Sequence, residues 1–337
     1  MRGSVLARWL AGIACVASIA CVASIACAIG WIGAAAAQSF PSKPIRFIVT
    51  SPAGGANDIH ARTLGVRIAE LIGQPILIDN RSGASGMIAA EMTAKSPPDG
   101  YTVLLGTDAT FAVNPSLFAK VPYDVQRDFA PVLISVGVNY VLLVHPSLAV
   151  KTLPELVALA RAHPGKLNYA SSGNGSAFHL SMELLKSMAG IDLVHVPFKG
   201  SASSVNAMLA GEVQVMMIGL ATGLPLARSG KLRALAVASS QRSPLAPDLP
   251  TFAESGLPGF HLDGWFGAMV PAATPAAVVA KLNETFIHAL QSQDTRERLV
   301  AQGYEVIGST PEQMRTRIRE DAQKWGKVIR DTGAKPD

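Results

Sequence analysis

Residues 44–107 alternate short apolar runs with amphipathic ones: PIRFIVT, DIHARTLGVRIAELI, PILID, GMIAAEMTAKS and YTVLLGT. Short apolar runs bounded by turn signals suit buried strands. Apolar positions recurring every three to four residues suit helices packed on a sheet, so this stretch predicts a βαβαβ unit. The same grammar continues through VLISV, YVLLVH, a helix at 153–162, the strand KLNYA, a helix from Ser176, LVHV, a helix from Ser201, and VQVMMI. Strand after helix after strand predicts mainly parallel sheets covered on both faces. PPDGY at 97–101 and HPGK at 163–166 place Pro and Gly stops just before strands. From about Thr274 three helical patterns follow, at 275–293, 295–302 and 311–330, each with a Pro or hydroxyl start signal.

The first residues break this grammar. Residues 1–9 are short and basic through Arg2 and Arg8, residues 10–33 are almost wholly apolar, and Ala35-Ala36-Ala37 precedes Gln38 as a small-residue cleavage site. This predicts an export signal over 1–37, cleaved after Ala37; an uncleaved anchor is the alternative, since the apolar run is long enough to span a bilayer. All three cysteines, Cys15, Cys21 and Cys27, lie inside it. The mature chain then has no disulfide, thiolate zinc site or cysteine nucleophile. A lipoprotein reading of Cys21 or Cys27 is weakened by Ser18 and Ser24, where a large aliphatic residue is required.

Charge narrows the partners. The chain has 29 Lys and Arg against 24 Asp and Glu, and without Arg2 and Arg8 the balance is 27 minus 24, or +3. With no basic run and few aromatics, neither the electrostatic footprint nor the stacking platform of a nucleic-acid binder is present. A mildly basic exported protein suits small acidic solutes.

Two strand-to-helix turns share one design. In VTSPAGGANDIHARTLG a strand breaks at Ser51, Pro52, Ala53, Gly54 and Gly55 and resumes as a helix. In NYASSGNGSAFHLSMELL the break is Ser171, Ser172, Gly173, Asn174, Gly175 and Ser176. Unpaired N–H groups at a helix start, reinforced by the helix dipole, form an anion site. NRSGASG at 80–86 and GTDAT at 106–110, with Thr107 and Asp108, add two loops at strand ends, where open α/β sheets bind ligands.

Individual side chains leave alternatives. Asp58 either caps the following helix or faces a ligand. Arg62, one turn on, suits an intramolecular ion pair. His60 and His179 sit in first helical turns, as hydrogen-bonded residues or as ligand contacts. Lys199 follows a strand and either reaches the cleft mouth or braces its loop. Trp265 in DGWFGAM is a cleft wall or core.

Catalytic motifs fail on spacing. GNGSAF lacks the third glycine of a dinucleotide fingerprint, and Gly165-Lys166, Gly230-Lys231 and Gly326-Lys327 lack the Ser or Thr of a P-loop. SGASG has no spacer for a nucleophile elbow, and the seven histidines form no H-E-x-x-H. No catalytic residue, metal site or cofactor is expected. A hydrolase on a two-lobe α/β fold and a free-standing carboxylate sensor are the alternatives.

Across nearly the whole mature chain the sequence resembles the periplasmic solute receptors of tripartite tricarboxylate transporters, the Bug receptors. The resemblance rests on PIRFIVTSPAGGANDIHAR, GQPILIDNRSGASGMIAAE, PPDGYTVLLGT, NYASSGNGSAFHLSMELL, VPFKGSASSVNAMLAGEVQVMM, GKLRALAVAS, LPTFAESGLPGF, GWFGAMVPAATP and WGKVIRDTG, in order. It implies an α/β two-lobe fold of the type II periplasmic binding proteins, lobe 1 at 39–143 plus 262–337 and lobe 2 at 144–261. A monomer would close over a dicarboxylate, tricarboxylate, amino acid or aromatic acid and present it to membrane subunits of a transporter. It implies contacts from main-chain N–H groups, small hydroxyls and waters in the two glycine loops. His60 and Asp108 are individual to this chain. Asp108, if it faces the cleft, repels a second carboxylate or favours a ligand with an amine or hydroxyl.

Overall fold

The computed structural model describes residues 40–198 and 200–336. The expected signal, its cleavage site and Lys199 lie outside the described residues. Residues 43–337 form one compact unit built on two sheets.

The first sheet contains β1 (Ile45–Val49), β2 (Ile76–Asn80), β3 (Thr102–Thr107), β4 (Phe129–Val138), β10 (Gly264–Pro271) and β11 (Tyr304–Val306). Their order is β11-β4-β10-β3-β1-β2. The second sheet contains β5 (Tyr140–Val144), β6 (Asn168–Ser171), β7 (Val194–Pro197), β8 (Val215–Gly219) and β9 (Arg233–Val237), in the order β7-β6-β8-β5-β9. The chain leaves the first sheet at Asn139, between β4 and β5, and returns through the segment between β9 and β10. Tyr140–Val144 thus pairs wholly within the second sheet, so the division between sheets falls before the whole YVLLV run.

The helices are α1 (Ala56–Ile72), α2 (Met87–Ala94), α3 (Asn114–Leu117), α4 (Val125–Asp128), α5 (Leu153–Ala162), α6 (Ala177–Ala189), α7 (Ser201–Leu209), α8 (Leu220–Arg228), α9 (Ala276–Gln291), α10 (Gln293–Ala301) and α11 (Pro311–Thr332). The βα alternation predicts mainly parallel sheets, and the pairings correct that. β1 is parallel to β2 and β3, and β6 to β7 and β8, but β10 is antiparallel to β3 and β4, and β5 to β8 and β9. The antiparallel strands are those flanking the crossings: a chain that steps directly from one sheet into another enters without the helical crossover that parallel pairing needs.

β5 shows why its sequence is a continuous apolar run. Tyr140, Leu142 and Val144 face one core, with Tyr169, Leu180 and Leu185; Val141 and Leu143 face the other, with Met208, Met216 and Leu224. A strand buried on both faces has no polar side to show.

The last helix reaches both cores. α11 begins with a capping box, Thr310 to Gln313, and has Pro at its start. Its Met314 and Ile318 pack with Trp265, Phe111 and Leu104 in the first lobe; Trp325, Val328 and Ile329 join the cluster of Leu180, Tyr140 and Leu117. Between these sets, Asp321 Oδ2 accepts from Trp265 Nε1 at 2.7 Å and from Arg317 Nε at 2.9 Å. Arg317 also donates to the Asp263 carbonyl at 2.7 Å, fixing α11 to the start of β10.

His60 lies in the first core, fully buried against Phe266 and Tyr304. The Ser135 hydroxyl donates to the Phe266 carbonyl at 2.9 Å, so His60 Nε2, 2.9 Å from Ser135 Oγ, carries the ring proton. His60 Nδ1 has no hydrogen-bond partner among the described residues. Burial pushes its pKa from 6.5 down to about 3.

Two outcomes follow from these contacts. Trp265→Phe keeps the stack on Phe111, 5.7 Å between ring centroids, but leaves the buried Asp321 oxygen one donor short. Urea unfolding should then show a loss of about 1–3 kcal/mol; an unchanged midpoint would mean that Asp321 is satisfied without the indole. For His60, the unfolded chain takes up a proton below 6.5 that the folded chain refuses until about 3, so stability falls with falling pH across that window. His60→Gln should shrink the stability loss between pH 8 and pH 5 by about 2 kcal/mol. Equal losses in variant and wild type would refute the assignment.

Candidate functional site

The loops after β1, β3 and β6 all leave the carboxyl ends of parallel-paired strands, and those after β1 and β6 lead into helix N-termini. In the first, Gly55 is the N-cap of α1 and supplies no side chain, so Asp58 lies in the first turn and is not the cap. It serves the loop instead. Asp58 Oδ2 accepts from the Gly54 N–H at 2.8 Å and from Arg62 Nε at 3.0 Å, and Oδ1 accepts from Asn80 Nδ2 at 2.9 Å. The Asp58 N–H donates to Ser51 Oγ at 3.0 Å, and Asn80 Nδ2 also donates to the Ser51 carbonyl. Asp58 is 1% exposed. Burial raises its pKa, but the bonds from Arg62, Gly54 and Asn80 outweigh that and hold it below the usual carboxylate range.

This bracing decides which donors remain. Gly54 N–H is taken by Asp58 and Gly55 N–H by the Pro52 carbonyl at 3.0 Å. Among the described residues the N–H groups of Ser51 and Ala53 have no acceptor, nor do those of Ala56 and Asn57, which as first helical positions have no intrahelical one. Pro52, Ala53 and Gly54 are exposed. The loop therefore presents backbone donors, with no cationic side chain inside it.

The second loop is braced in the same manner by different residues. Ser176 caps α6, its Oγ accepting from the His179 N–H at 3.3 Å. His179 Nδ1 accepts from the Gly175 N–H at 2.9 Å, which commits that ring nitrogen to the loop. The Gly173 N–H donates to Ser171 Oγ at 3.2 Å, and the Ser176 N–H to the Gly173 carbonyl at 3.2 Å. Ser171 Oγ is 2.6 Å from His195 Nε2, and the His195 ring stacks on His179 at 4.0 Å and on Tyr169 at 4.8 Å. Ser172 and Asn174 are half-buried at the loop surface.

The loop after β3 adjoins the first, since Leu105 accepts from the Thr50 N–H and from Asn57 Nδ2. Thr107 Oγ1 lies 3.5 Å from Thr110 Oγ1. Asp108 is buried at 8% exposure, with Oδ1 accepting from the Ala109 N–H at 2.9 Å. Burial, then the nearby Asp321 charge, push its carboxyl up to about 7. The second loop meets the first lobe here: a methyl group on Gly175 would overlap the Leu117 side chain of α3.

The sequence-predicted residues thus divide. Ser51, Pro52, Ala53, Gly54, Gly55 and Asp58 form one braced turn, Ser171, Ser172, Gly173, Asn174, Gly175, Ser176 and His179 another, and Thr107 and Asp108 sit beside the first. Trp265 is 1% exposed, its indole N–H given to Asp321, and belongs to the core; His60 is likewise core. Arg62 makes the expected ion pair with Asp58. Sequence reasoning passed over Asn57, Asn80, Asn114 and Tyr140. Asn114 Nδ2 reaches the Ser85 carbonyl at 3.0 Å and Tyr123 Oη at 3.1 Å, which anchors the NRSGASG loop. For Asn80 and Asn114 the only sequence signal was an amide at a strand end or beside a proline.

Known proteins resemble this arrangement along most of the chain. The family model described as "Tripartite tricarboxylate transporter family receptor" matches residues 60–334. Protein BugT of Bordetella pertussis is 40% identical over 89% of this chain and 92% of its own length. Among solved structures, a protein of R. palustris with adipate is 37% identical, with a TM-score of 0.80 over 88% of this chain and 100% of that one. MatC from Rhodopseudomonas palustris with bound malate is 34% identical, with a TM-score of 0.76 over 86% and 100%. The chain belongs to the tripartite tricarboxylate transporter receptor family, the family of the Bug receptors.

Proposed function

We propose that this chain is a periplasmic solute receptor that takes a small carboxylate between the loops 51–55 and 171–176, closes over it, and hands it to the membrane subunits of a tripartite transporter. It does so as a monomer and without covalent chemistry. Lobe 1 comprises the first sheet with α9, α10 and α11, and lobe 2 the second sheet. The observation that carries the reading is the set of backbone N–H groups at Ser51, Ala53, Ala56 and Asn57, left without acceptors in a loop locked by its own side chains. Donors fixed at a helix start need little reorganisation to hold a carboxylate, and ordered waters adapt one such site to related acids. Family membership and the adipate- and malate-bound relatives support the ligand class.

Native mass spectrometry of the protein as purified, followed by a thermal-shift screen of mono-, di- and tricarboxylates, amino acids and aromatic acids, tests the reading. A ligand at 100 times its Kd adds about 2.7 kcal/mol to stability. No shift with any acid and none co-purifying would overturn it.

Gly175→Ala tests the closure. Its φ of 71° is strained for alanine, and the new methyl meets Leu117 across the lobes. Affinity should fall by about tenfold or more, equivalent to at least ~1.4 kcal/mol, and Leu117→Ala in the same chain should recover part of it. Unaltered binding by Gly175→Ala would mean that this loop stays clear of the first lobe in the bound state.

A further inference from the structure

Asp108 is the one residue of the three loops whose charge is not spent on the loop itself. Asp58 engages both carboxylate oxygens in bracing the first turn, with the Gly54 N–H, Arg62 and Asn80. Asp108 uses Oδ1 for the Ala109 N–H; among the described residues Oδ2 accepts no hydrogen bond, and the carboxylate has no cation within 4.0 Å. Asp108 is 8% exposed, yet Oδ2 is not one of the fully buried unpartnered atoms, so this oxygen reaches solvent and is open to a ligand.

The groups around it meet its charge only in part, through space: Arg317 and Lys324 pull its pKa down, but less than burial and Asp321 push it up. Four titratable or charged side chains bear on it electrostatically: Arg317, Asp321 and Lys324 from α11, and Tyr140 from β5. Arg317 is committed to Asp321 and to the Asp263 carbonyl. Lys324 Nζ donates to the His261 carbonyl at 2.8 Å. Tyr140 is neutral, its hydroxyl pushed further up by burial and by the Asp108 charge. Asp321 adds negative potential. A second ligand carboxylate here would meet like charge, whereas a cation would relieve both the missing bond and the repulsion from Asp321.

Placement favours a ligand as the source of that cation. β3 lies beside β1, which puts the Asp108 loop next to the donors of the first turn. The following residue, Ala109, packs on the cluster that also takes Ala177 and Phe178, the first two residues of α6 after the second loop. Asp108 therefore stands beside the first donor loop, next to a residue that packs on the same core as the start of α6.

We propose that Asp108 is a cation subsite, and that the solute carries an ammonium group beside its carboxylate, as an amino acid does. The carboxylate takes the loop N–H groups and the ammonium takes Asp108 Oδ2. This rests on the carboxylate-receptor reading and narrows it. Because the Asp108 carboxyl titrates at about 7, docking of an ammonium expels a proton below that pH.

Calorimetry on acids that differ by a single ammonium tests it: succinate against aspartate, glutarate against glutamate, adipate against 2-aminoadipate, and 3-phenylpropionate against phenylalanine, on wild type and Asp108→Asn. In the pair that binds, the amino acid should be tighter by about tenfold or more (~1.4 kcal/mol). Its affinity should rise with pH to about 7 and then level, with about one proton released near pH 6 in buffers of different ionisation enthalpy. Asp108→Asn should abolish the preference, the pH dependence and the proton release, and above pH 7 should bind the plain diacid more tightly than wild type, because the diacid's second carboxylate no longer meets the Asp108 charge. Equal or tighter binding of the plain acids by wild type, with a ratio unchanged in the variant, overturns the subsite and leaves the carboxylate receptor standing. An amino acid whose affinity falls as pH rises toward 7 overturns it as well, since the protonated Asp108 would then be the binding form. Failure of every carboxylate in the broader screen removes both readings. Folding of the variant is checked by melting: the folded-state pKa lies above the unfolded 3.8, so wild type loses stability as pH rises through about 7, and Asp108→Asn should melt higher at pH 8.

Discussion

The bond from the Trp265 indole to Asp321 fastens the last helix to the strand by which the chain returns to its first sheet. Much of the fold depends on that return. β10 lies between β3 and β4, so the first sheet has a gap at its centre until residue 264 arrives. Asp321, shared between Trp265 and Arg317, and Arg317, bonded to the Asp263 carbonyl, tie α11 to the first turn of that strand. A sheet whose middle strand comes from so far along the chain closes late, because the loop entropy of a long connection must be overcome before its contacts form. The compensation lies in α11, which adds Met314 and Ile318 to the first core and Trp325, Val328 and Ile329 to the second.

The donor loops follow a different logic, in which each turn is held by side chains from its own helix and neighbouring strand. Asp58 and Asn80 hold 51–55; Ser176, His179 and Ser171 hold 171–176. Each brace uses up some of the loop's N–H groups and fixes the direction of the others. The most conspicuous acidic residue of the first turn is thereby spent largely on the loop: its carboxylate accepts three hydrogen bonds, one of them from the Arg62 guanidinium.

The alternation of apolar and amphipathic runs made most elements legible, and the C-terminal helices came out within a few residues of their observed ends. What it concealed was direction. VLISV and YVLLVH read as two consecutive apolar strands, with nothing to mark that the chain changes sheets at Asn139 between them, because a strand buried on both faces looks the same wherever its partners lie. Individual polar residues were left with alternatives that only contacts could separate. His60 and Trp265 sit in apolar surroundings with one hydrogen bond apiece, and Asn57 joins Thr50 to Leu105, contacts between distant positions that leave no period in the sequence. The glycine turns were legible because their chemistry is local, consisting of a strand, a break and a helix start within a few residues.

Both crossings and α11 also limit how the lobes can part. Trp325, Val328 and Ile329 are packed with Leu180 of α6, while Met314 and Ile318 of the same helix are packed with Leu104 and Trp265. A rigid helix held in two cores resists separation along its length, so opening must pivot about it and be widest away from it. Bonds that cross from α11 to residues 261 and 263, beside the second crossing, place resistance at the same edge. The contact of Gly175 with Leu117 lies across the seam and is made by a residue without a side chain. Leu117 is itself buried with Tyr140 and Leu180, so parting the lobes at this seam exposes an apolar patch that closing covers again, which biases the pair of lobes toward the closed arrangement.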